Sequence, residues 1–336
     1  MSGDVWRSVH VHRLVGQDAF LTDGLGPALA DLRAQCRVRR AFFLRYWEGG
    51  HHVRVRVRCA STDADAVVAD LAGVLTRYLR VHPEDHSFDL DEFARIAQPT
   101  MAALEGVPAG STYPPGTVRE APYVPEYDKY GGPAGVAVAE EFFDRSASLA
   151  LSVLPQVIER PGRRLGLGFT MMLRGLDAAG LSLAAAAAFL RHYCLMWSPY
   201  VFDEFLDTWP QLLAQRRGQV TAQTGRLLAA RPLTDGYSTA VRTAVAAVAA
   251  EATVLRAVTL AGPDADPARR RRVLLVSYLH THNNRLGLTP EQEAFLGYLG
   301  HHVLAEYAGT VADQDLLQQT RAERAQRFSA LTHPVS

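Results

Sequence analysis

Residues 52–58 read His-Val-Arg-Val-Arg-Val-Arg, and this alternation constrains the chain more than any other stretch. Side chains on an extended strand point alternately to opposite faces, so Val53, Val55 and Val57 share one face and His52, Arg54, Arg56 and Arg58 the other. The valine face calls for a core. The other face carries three guanidinium groups in a row, and like charges two residues apart repel. Acidic neighbours, solvent or an anionic or carbonyl-rich ligand must offset them. A solvated face and a ligand floor both fit, since guanidinium forks grip carboxylates and amide oxygens. Just upstream, Phe42–Trp47 reads as a partner strand, joined through Glu48-Gly49-Gly50. A double glycine is a strong hairpin signal because tight primed turns need positive φ.

Around this hairpin the first part of the chain reads as a sheet with helices. Val5–Arg13 alternates like a strand, and Leu25–Cys36 is helix-like, with Leu25, Leu29 and Leu32 on one face. Ser61-Thr62-Asp63-Ala64-Asp65 offers hydroxyls for capping and acids for a first helical turn. Val67, Leu71, Leu75 and Leu79 then form an apolar stripe. His82–Asp91 is expected to be a loop, followed by a shorter helix to about Leu104. Thr117–Glu126 reads as a further strand, approached through Tyr113-Pro114-Pro115-Gly116. Strand, helix, strand, strand, helix, strand is the order of a split βαβ, ferredoxin-like arrangement. The remainder is helical in periodicity over Gly135–Val157, Leu165–Leu176, Leu181–Met196, Phe202–Leu228, Ser238–Leu260, Arg269–His282 and Pro290–Tyr307. The expected class is α+β: a sheet part over 1–132 with the arginine-rich hairpin, and a helical part over 133–336 packed on it as one integrated domain.

Composition removes several classes of function. The chain has 336 residues, 48% of them hydrophobic, with 35 basic and 35 acidic side chains and no formal net charge. There is thus no global electrostatic case for nucleic acid or an anionic membrane. Cys36, Cys59 and Cys194 are scattered, lack CxxC spacing and cannot all pair, which suits a reducing cytoplasm. The amino terminus lacks the apolar core of a signal peptide. The most apolar run, Leu181–Leu190, stops at Arg191 and His192 and is too short to span a bilayer. The Ala184–Ala188 face allows close helix packing. Arg269–Arg272 reads as a solvated helix start, and the polar tail after Gln319 as a segment prone to fraying. Lys129 is the only lysine among 35 basic residues. Arginine bias explains the rest and leaves this one conspicuous.

Two further constellations carry chemistry. In Tyr123-Val124-Pro125-Glu126-Tyr127-Asp128-Lys129-Tyr130-Gly131-Gly132-Pro133 a strand arrives, a double glycine turns the chain, and a helix begins with proline near its first position. Its amino end and glycine amides suit a carbonyl or carboxylate. Ser277–Gly287 closes a helix at a glycine and contains His280 and His282. Histidine there can work as acid or base near neutral pH, or simply cap the helix. A metal site drawn from His10, His12, His51, His52, His280, His282, His301 and His302 lacks Cys or Asp at ligand spacing, so no metal is expected.

Three of these segments, RYWEGGHHVRVRVR, YVPEYDKYGGPAG and SYLHTHNNRLG, resemble the C-terminal region of lantibiotic dehydratases, a family that also occurs as standalone thiopeptide-type bacteriocin biosynthesis proteins. The motifs span residues 45 to 287 in the expected order. The resemblance implies a cytoplasmic, cofactor-independent lyase or cyclase acting on a leader-bearing precursor peptide, with neither nucleic acid nor membrane as partner. Oligomeric state stays open, a homodimer included. Two reactions belong to the family: glutamate elimination from glutamylated Ser or Thr, and a formal [4+2] aza-cycloaddition of two dehydroalanines that builds a pyridine and expels water and the leader. Eliminating members resemble this chain at Arg54, Arg56, Glu126 and His280 but typically carry arginine where Lys129 stands. That difference favours the cyclising, pyridine-synthase branch. Elimination and a non-catalytic leader-binding module are the alternatives. The implied catalytic set is His280, Tyr130, Glu126 and Lys129, and the implied substrate-binding set is His52, Arg54, Arg56, Tyr123, His282, Asn284 and Arg285.

Overall fold

A computed structural model describes residues 3–84 and 88–332. The chain divides into two compact units, residues 1–125 with 143–161 and residues 126–142 with 162–336.

The first unit is built on a four-stranded antiparallel sheet: β1 (Asp4–His12), β2 (Arg40–Tyr46), β3 (His52–Ala60) and β4 (Val118–Ala121), in the order β2-β3-β1-β4. β3 lies between β1 and β2 and antiparallel to both, which is the expected split βαβ topology. One face is a core. Val9, Val11, Val53, Val55, Val57 and Phe43 are all fully buried. Helix α1 (Gly26–Ala34) adds Leu29 and Leu32, and α2 (Ala64–Val81) adds the stripe Val67, Leu71, Leu75 and Leu79. Each such aliphatic side chain contributes roughly 1.5–3 kcal/mol by leaving water. A short helix, α3 (Gln98–Glu105), belongs to the insertion before β4.

Local chemistry moved several boundaries. β4 covers only part of Thr117–Glu126, because Pro122 and Pro125 have no N–H to give a ladder. The helix expected from Leu25 to Cys36 is entered through a π-helical turn, Phe20–Leu25, and ends at Ala34, with Cys36 at φ 56°. No side-chain hydroxyl caps α2. Its N-cap residue Asp63 is engaged instead by Arg37 Nε at 2.9 Å. The expected loop His82–Asp91 falls partly outside the described residues; at its end Asp89 accepts from Glu92 N at 2.8 Å and starts a helical turn.

The second unit is helical. Helix α4 (Gly132–Glu159) contributes residues 132–142 to it and residues 143–159 to the first unit. Then come α5 (Arg163–Ala178), α6 (Leu183–Trp197), α7 (Trp209–Ala229), α8 (Gly236–Ala250), α9 (Pro267–Leu286), α10 (Pro290–Tyr307) and α11 (Leu316–Thr332). The span 202–228 is two helices, because Pro210 cannot continue one and instead sits in the first turn of α7. The span 238–260 breaks where Glu251 turns extended (φ −109°, ψ 104°) and becomes the N-cap residue of a short helix, Ala252–Arg256. The alanine run brings α6 close to α10 in part, with Ala186 and Ala187 buried and Ala187 O 2.9 Å from His301 Nδ1; glycine completes the approach, since a Cβ at Gly297 would stand 2.8 Å from Cys194 N. Ala184, Ala185 and Ala188 are exposed. Of the polar tail, residues 320–332 belong to α11, with Leu316 and Thr320 buried and Arg324 paired to Asp203 at 2.6 Å.

The four-arginine run also resolves unevenly. Arg269, Arg271 and Arg272 are exposed, but Arg270 is buried and donates to four carbonyls, those of Arg256, Val258, Pro263 and Ala265, at 2.8–3.0 Å. It closes the loop that follows the short helix. Of these bonds only that to Val258 O is fully buried, the other three lying where water can replace the donor, so truncation to alanine leaves one unmet buried group at about 1–3 kcal/mol. Arg270→Ala is therefore expected to lose about 1–3 kcal/mol of stability, read as a lower urea midpoint, while Arg271→Ala leaves the midpoint unchanged.

Candidate functional site

In the first unit the polar face of β3 is anchored at the hairpin. Gly49 (φ 74°) and Gly50 (φ 93°) take the positive φ the turn needs, and a Cβ on Gly49 would stand 2.8 Å from Ser111 O. His52 Nδ1 lies 2.9 Å from Gly50 O, and Arg54 Nε donates to His52 Nε2 at 3.0 Å. Those two contacts fix the tautomer: Nδ1 carries the proton and Nε2 accepts. Arg54 is further held by Glu48 Oε2 at 2.9 Å and lies over the Tyr46 ring at 3.4 Å. Arg56 lies 4.7 Å from the Tyr123 ring centroid and 5.5 Å from that of Phe42. Arg58 reaches Asp4 at 3.5 Å. Acids and aromatic faces thus offset the row of cations.

The cross-strand register continues this face onto β1 and β4. His12 faces His52, His10 faces Arg54, and His10 faces Arg119 on the other side. His10 and His12 each stack on His52, with centroids 5.0 and 4.7 Å apart. Stacked rings do not aim their lone pairs at one point, and among the described residues no three His, Cys, Asp or Glu side chains group as a metal site. Arg119 completes the face, 4.3 Å over Tyr113 and 3.3 Å from His10 Nδ1. Sequence reading missed Arg119, Tyr113 and Glu48. β4 is too short to show alternation, and only the register places Arg119 beside His10.

All three histidines are held neutral. Burial is the largest cause each time, taking His10 to about 2, His52 to about 3 and His12 to about 4. Guanidinium charge adds to it at all three and a neighbouring histidine at His10 and His52, and at His52 the Gly50 carbonyl opposes it. His12 is fully buried, and neither of its ring nitrogens has a hydrogen-bond partner among the described residues.

In the second unit, the segment from Glu126 forms a single helical turn, Tyr127–Tyr130, before Gly131 (φ 95°) and Gly132 (φ 72°). A Cβ at Gly131 would stand 2.6 Å from Val254 O, so the turn needs glycine for both space and φ. Lys129 Nζ meets Glu126 Oε1 at 3.1 Å, a one-point contact with the carboxylate half exposed. Tyr130 is buried, its ring 5.8 Å from that of Tyr278.

Helix α9 carries the histidines on different faces. Residues two positions apart on a helix stand about 200° apart around its axis, so His280 and His282 cannot share a face. His282 is buried against Tyr237, centroids 4.4 Å apart, and burial lowers it to about 3. Arg285 is fully buried and donates to Thr281 O at 3.1 Å. Asn284, four residues after His280, is half-buried. The structure therefore puts His282 and Arg285 in the interior and His280 with Asn284 on another face. His280 stacks on Trp197 at 4.4 Å and contacts Glu293 Oε1 through Nδ1 at 2.8 Å. Glu293 is fully buried; its other oxygen accepts from Asn283 Nδ2 at 3.0 Å and from the Tyr193 hydroxyl. Sequence reading missed Glu293, Trp197 and Tyr193. A carboxylate between Gln292 and the apolar Ala294-Phe295-Leu296 was the available signal for Glu293.

Two comparisons with known proteins find matches. A family model described as lantibiotic biosynthesis dehydratase C-term matches residues 6–304. Among solved structures, the pyridine synthase TbtD from thiomuracin biosynthesis is similar at a TM-score of 0.72 and 21% identity, over 90% of this chain and 99% of that one. TsrL is similar at 0.61 and 18%, over 96% of this chain and 99% of that one. The tRNA-dependent lantibiotic dehydratase MibB from Microbispora sp. 107891 is similar at 0.55 and 22%, over 90% of this chain but 28% of that one. No curated protein matches the chain by sequence. Among the described residues no helix is long and apolar enough to cross a membrane.

The neutral histidines make stability depend on pH. An unfolded imidazole takes a proton near 6.5, whereas these take one only near 4 or below. Between those values the unfolded state binds more protons, so stability is full above about pH 6.5 and falls as the pH falls. The urea midpoint is expected to drop between pH 7 and pH 5. His12→Phe, which keeps the stack without a titrating group, should shallow that dependence by about one proton. An identical slope in the variant would refute the assignment.

Proposed function

Because the chain belongs to the lantibiotic biosynthesis dehydratase C-terminal family, we propose that it is an enzyme that builds the pyridine core of a thiopeptide from a leader-bearing precursor peptide. The reaction is a formal [4+2] aza-cycloaddition. One dehydroalanine supplies the alkene; the other, with its neighbouring amide as the imidic acid, supplies the aza-diene. Two C–C bonds form and close a six-membered ring. Water then leaves with the imidic oxygen and a ring proton, and the leader leaves as its carboxamide with another, which makes the ring aromatic.

Lys129 carries this reading. It meets Glu126 through one oxygen at 3.1 Å, where the resemblance places an arginine in glutamate-eliminating members. A departing glutamyl carboxylate is best met by a two-point guanidinium fork, which an ammonium group cannot supply. An amide oxygen needs only a point donor. Arg54 and Arg56 are assigned to polarising substrate amide carbonyls, with His52 and Tyr123 holding those guanidinium groups in place. His280 is assigned to the proton transfers of aromatisation, which need both an acceptor and a donor. Glu126 and Lys129 act as a pair that orients the amide, and Tyr130 lines their turn. Asn284 shares the His280 side of α9; His282 and Arg285 support the helix from within. Most of the rate gain would come from holding two dehydroalanines of a flexible peptide in a near-attack arrangement. Binding energy from the leader can contribute to that ordering.

The test supplies two substrates to the purified protein: a leader peptide with two dehydroalanines, and a glutamylated Ser peptide. Mass spectrometry is expected to show ring formation with leader loss from the first and no glutamate release from the second. Glutamate release would identify an eliminating lyase. Leader binding without either product, unchanged in His280→Ala, would identify a binding module.

A further inference from the structure

We infer that Glu293 is the positioning residue of His280, fixing the imidazole as its Nδ1–H tautomer so that Nε2 is the proton acceptor. This rests on the proton-transfer role assigned to His280 above.

The arrangement follows from a helix hairpin. Helix α9 ends at Gly287 (φ 80°), whose N–H and that of Leu288 return to Asn283 O and close the last turn. Thr289 then caps α10 in a reciprocal box with Gln292. So short a link sets the last turns of α9 beside the first turn of α10, and Glu293 sits in that first turn. The amino-terminal end of a helix favours a carboxylate, which helps a fully buried one to persist there.

Each oxygen of that carboxylate is committed. Oε2 receives the Tyr193 hydroxyl from α6 and Asn283 Nδ2 from α9. Burial, then the charge of Glu293, raises the Tyr193 phenol well above its ordinary value, so it remains an O–H donor. Oε1 is left for His280 Nδ1 at 2.8 Å. A carboxylate oxygen only accepts, so the Nδ1 position must carry a proton. Trp197, stacked on the imidazole at 4.4 Å with planes 30° apart, blocks ring rotation. Among the described residues Nε2 has no hydrogen-bond partner, and the side chain remains 24% exposed. One nitrogen is locked inward and the other is open to a substrate proton.

A purely structural Glu293, joining α6, α9 and α10, would share the same contacts. Glu293→Gln separates the two roles. Tyr193 and Asn283 both donate to the Oε2 position, so the glutamine carbonyl should settle there and turn its NH2 toward His280. That NH2 donates to Nδ1 and moves the imidazole proton to Nε2, which removes the acceptor.

The experiment is 15N NMR of histidine-labelled protein at alkaline pH, with His280 assigned by His280→Gln, together with kinetics on the dehydroalanine leader peptide. Wild-type protein is expected to show the Nδ1–H tautomer and Glu293→Gln the Nε2–H tautomer. The variant should lose about 100-fold in kcat, with KM little changed. A wild-type Nε2–H tautomer overturns the inference even if the variant fails to fold, and so does an unchanged tautomer in a folded variant. Inversion of the tautomer in a protein whose wild type makes no pyridine would leave this inference standing and the assigned reaction refuted. A pyridine-forming wild type with an unchanged tautomer would do the reverse.

Discussion

A slip of one residue along β3 would turn three guanidinium groups into the core and three valines out of it. Side-chain period fixes that penalty and forbids odd slips, and the turn at Gly49-Gly50 sets which of the remaining registers the hairpin takes. Everything on the polar face follows from it. His12 and His10 stand opposite His52 and Arg54 only in this register. Arg119 reaches His10 only because β4 pairs with β1 in the matching one. Packing then restricts the charge on the face. Burial keeps three imidazoles neutral, so the positive charge resides on guanidinium groups, each turned against an acid or an aromatic ring. Such a face is cationic, with its charge held by neighbouring acids and rings.

The second unit handles charge in the opposite way, by enclosing it. Arg270 and Glu293 are both buried, and each is surrounded by partners of the right kind: four carbonyls for the cation, three donors for the anion. A buried ion with unmet hydrogen bonds is costly, and one with all of them met holds its neighbours in a single geometry. Arg270 uses that to order a loop. Glu293 uses it to orient a ring that is itself partly open. The same physics orders a loop in the first case and fixes a ring orientation in the second.

How much of this was legible in the chain depended on range. The strand alternation, the stripe on α2 and the glycine turns are local patterns, and the structure bears them out with the ferredoxin-like order they imply. The prolines at 122, 125 and 210 are also local signals, and they set the boundaries of β4 and α7 against the hydrophobic periodicity. What could not be read were partners distant in sequence. His280 stood out as a titratable residue near a helix end. Its meaning lies with Tyr193, Trp197 and Glu293, which periodicity classes simply as helix interior. His282 shows the converse: His-x-His attracts attention in one dimension, yet the helical repeat sends the second ring into the core.

The proposed reaction takes its direction from the contrast between Lys129 and the arginines. A leaving glutamate carries its charge over two oxygens in a plane, a shape that a guanidinium matches and an ammonium does not. Ring closure between two dehydroalanines develops no such carboxylate. Its demands are a polarised amide, a fixed separation between two alkenes and a neutral base for aromatisation. The arginine-rich sheet face suits the first, and His280, stacked on Trp197 and anchored through Nδ1, suits the last. An exposed Lys129–Glu126 pair is worth about 0–1 kcal/mol as a structural bridge, too little to account for the one lysine in an arginine-rich chain. Its weakness fits a residue that exchanges its carboxylate partner for an amide oxygen at little cost, which a two-point arginine clamp would not do.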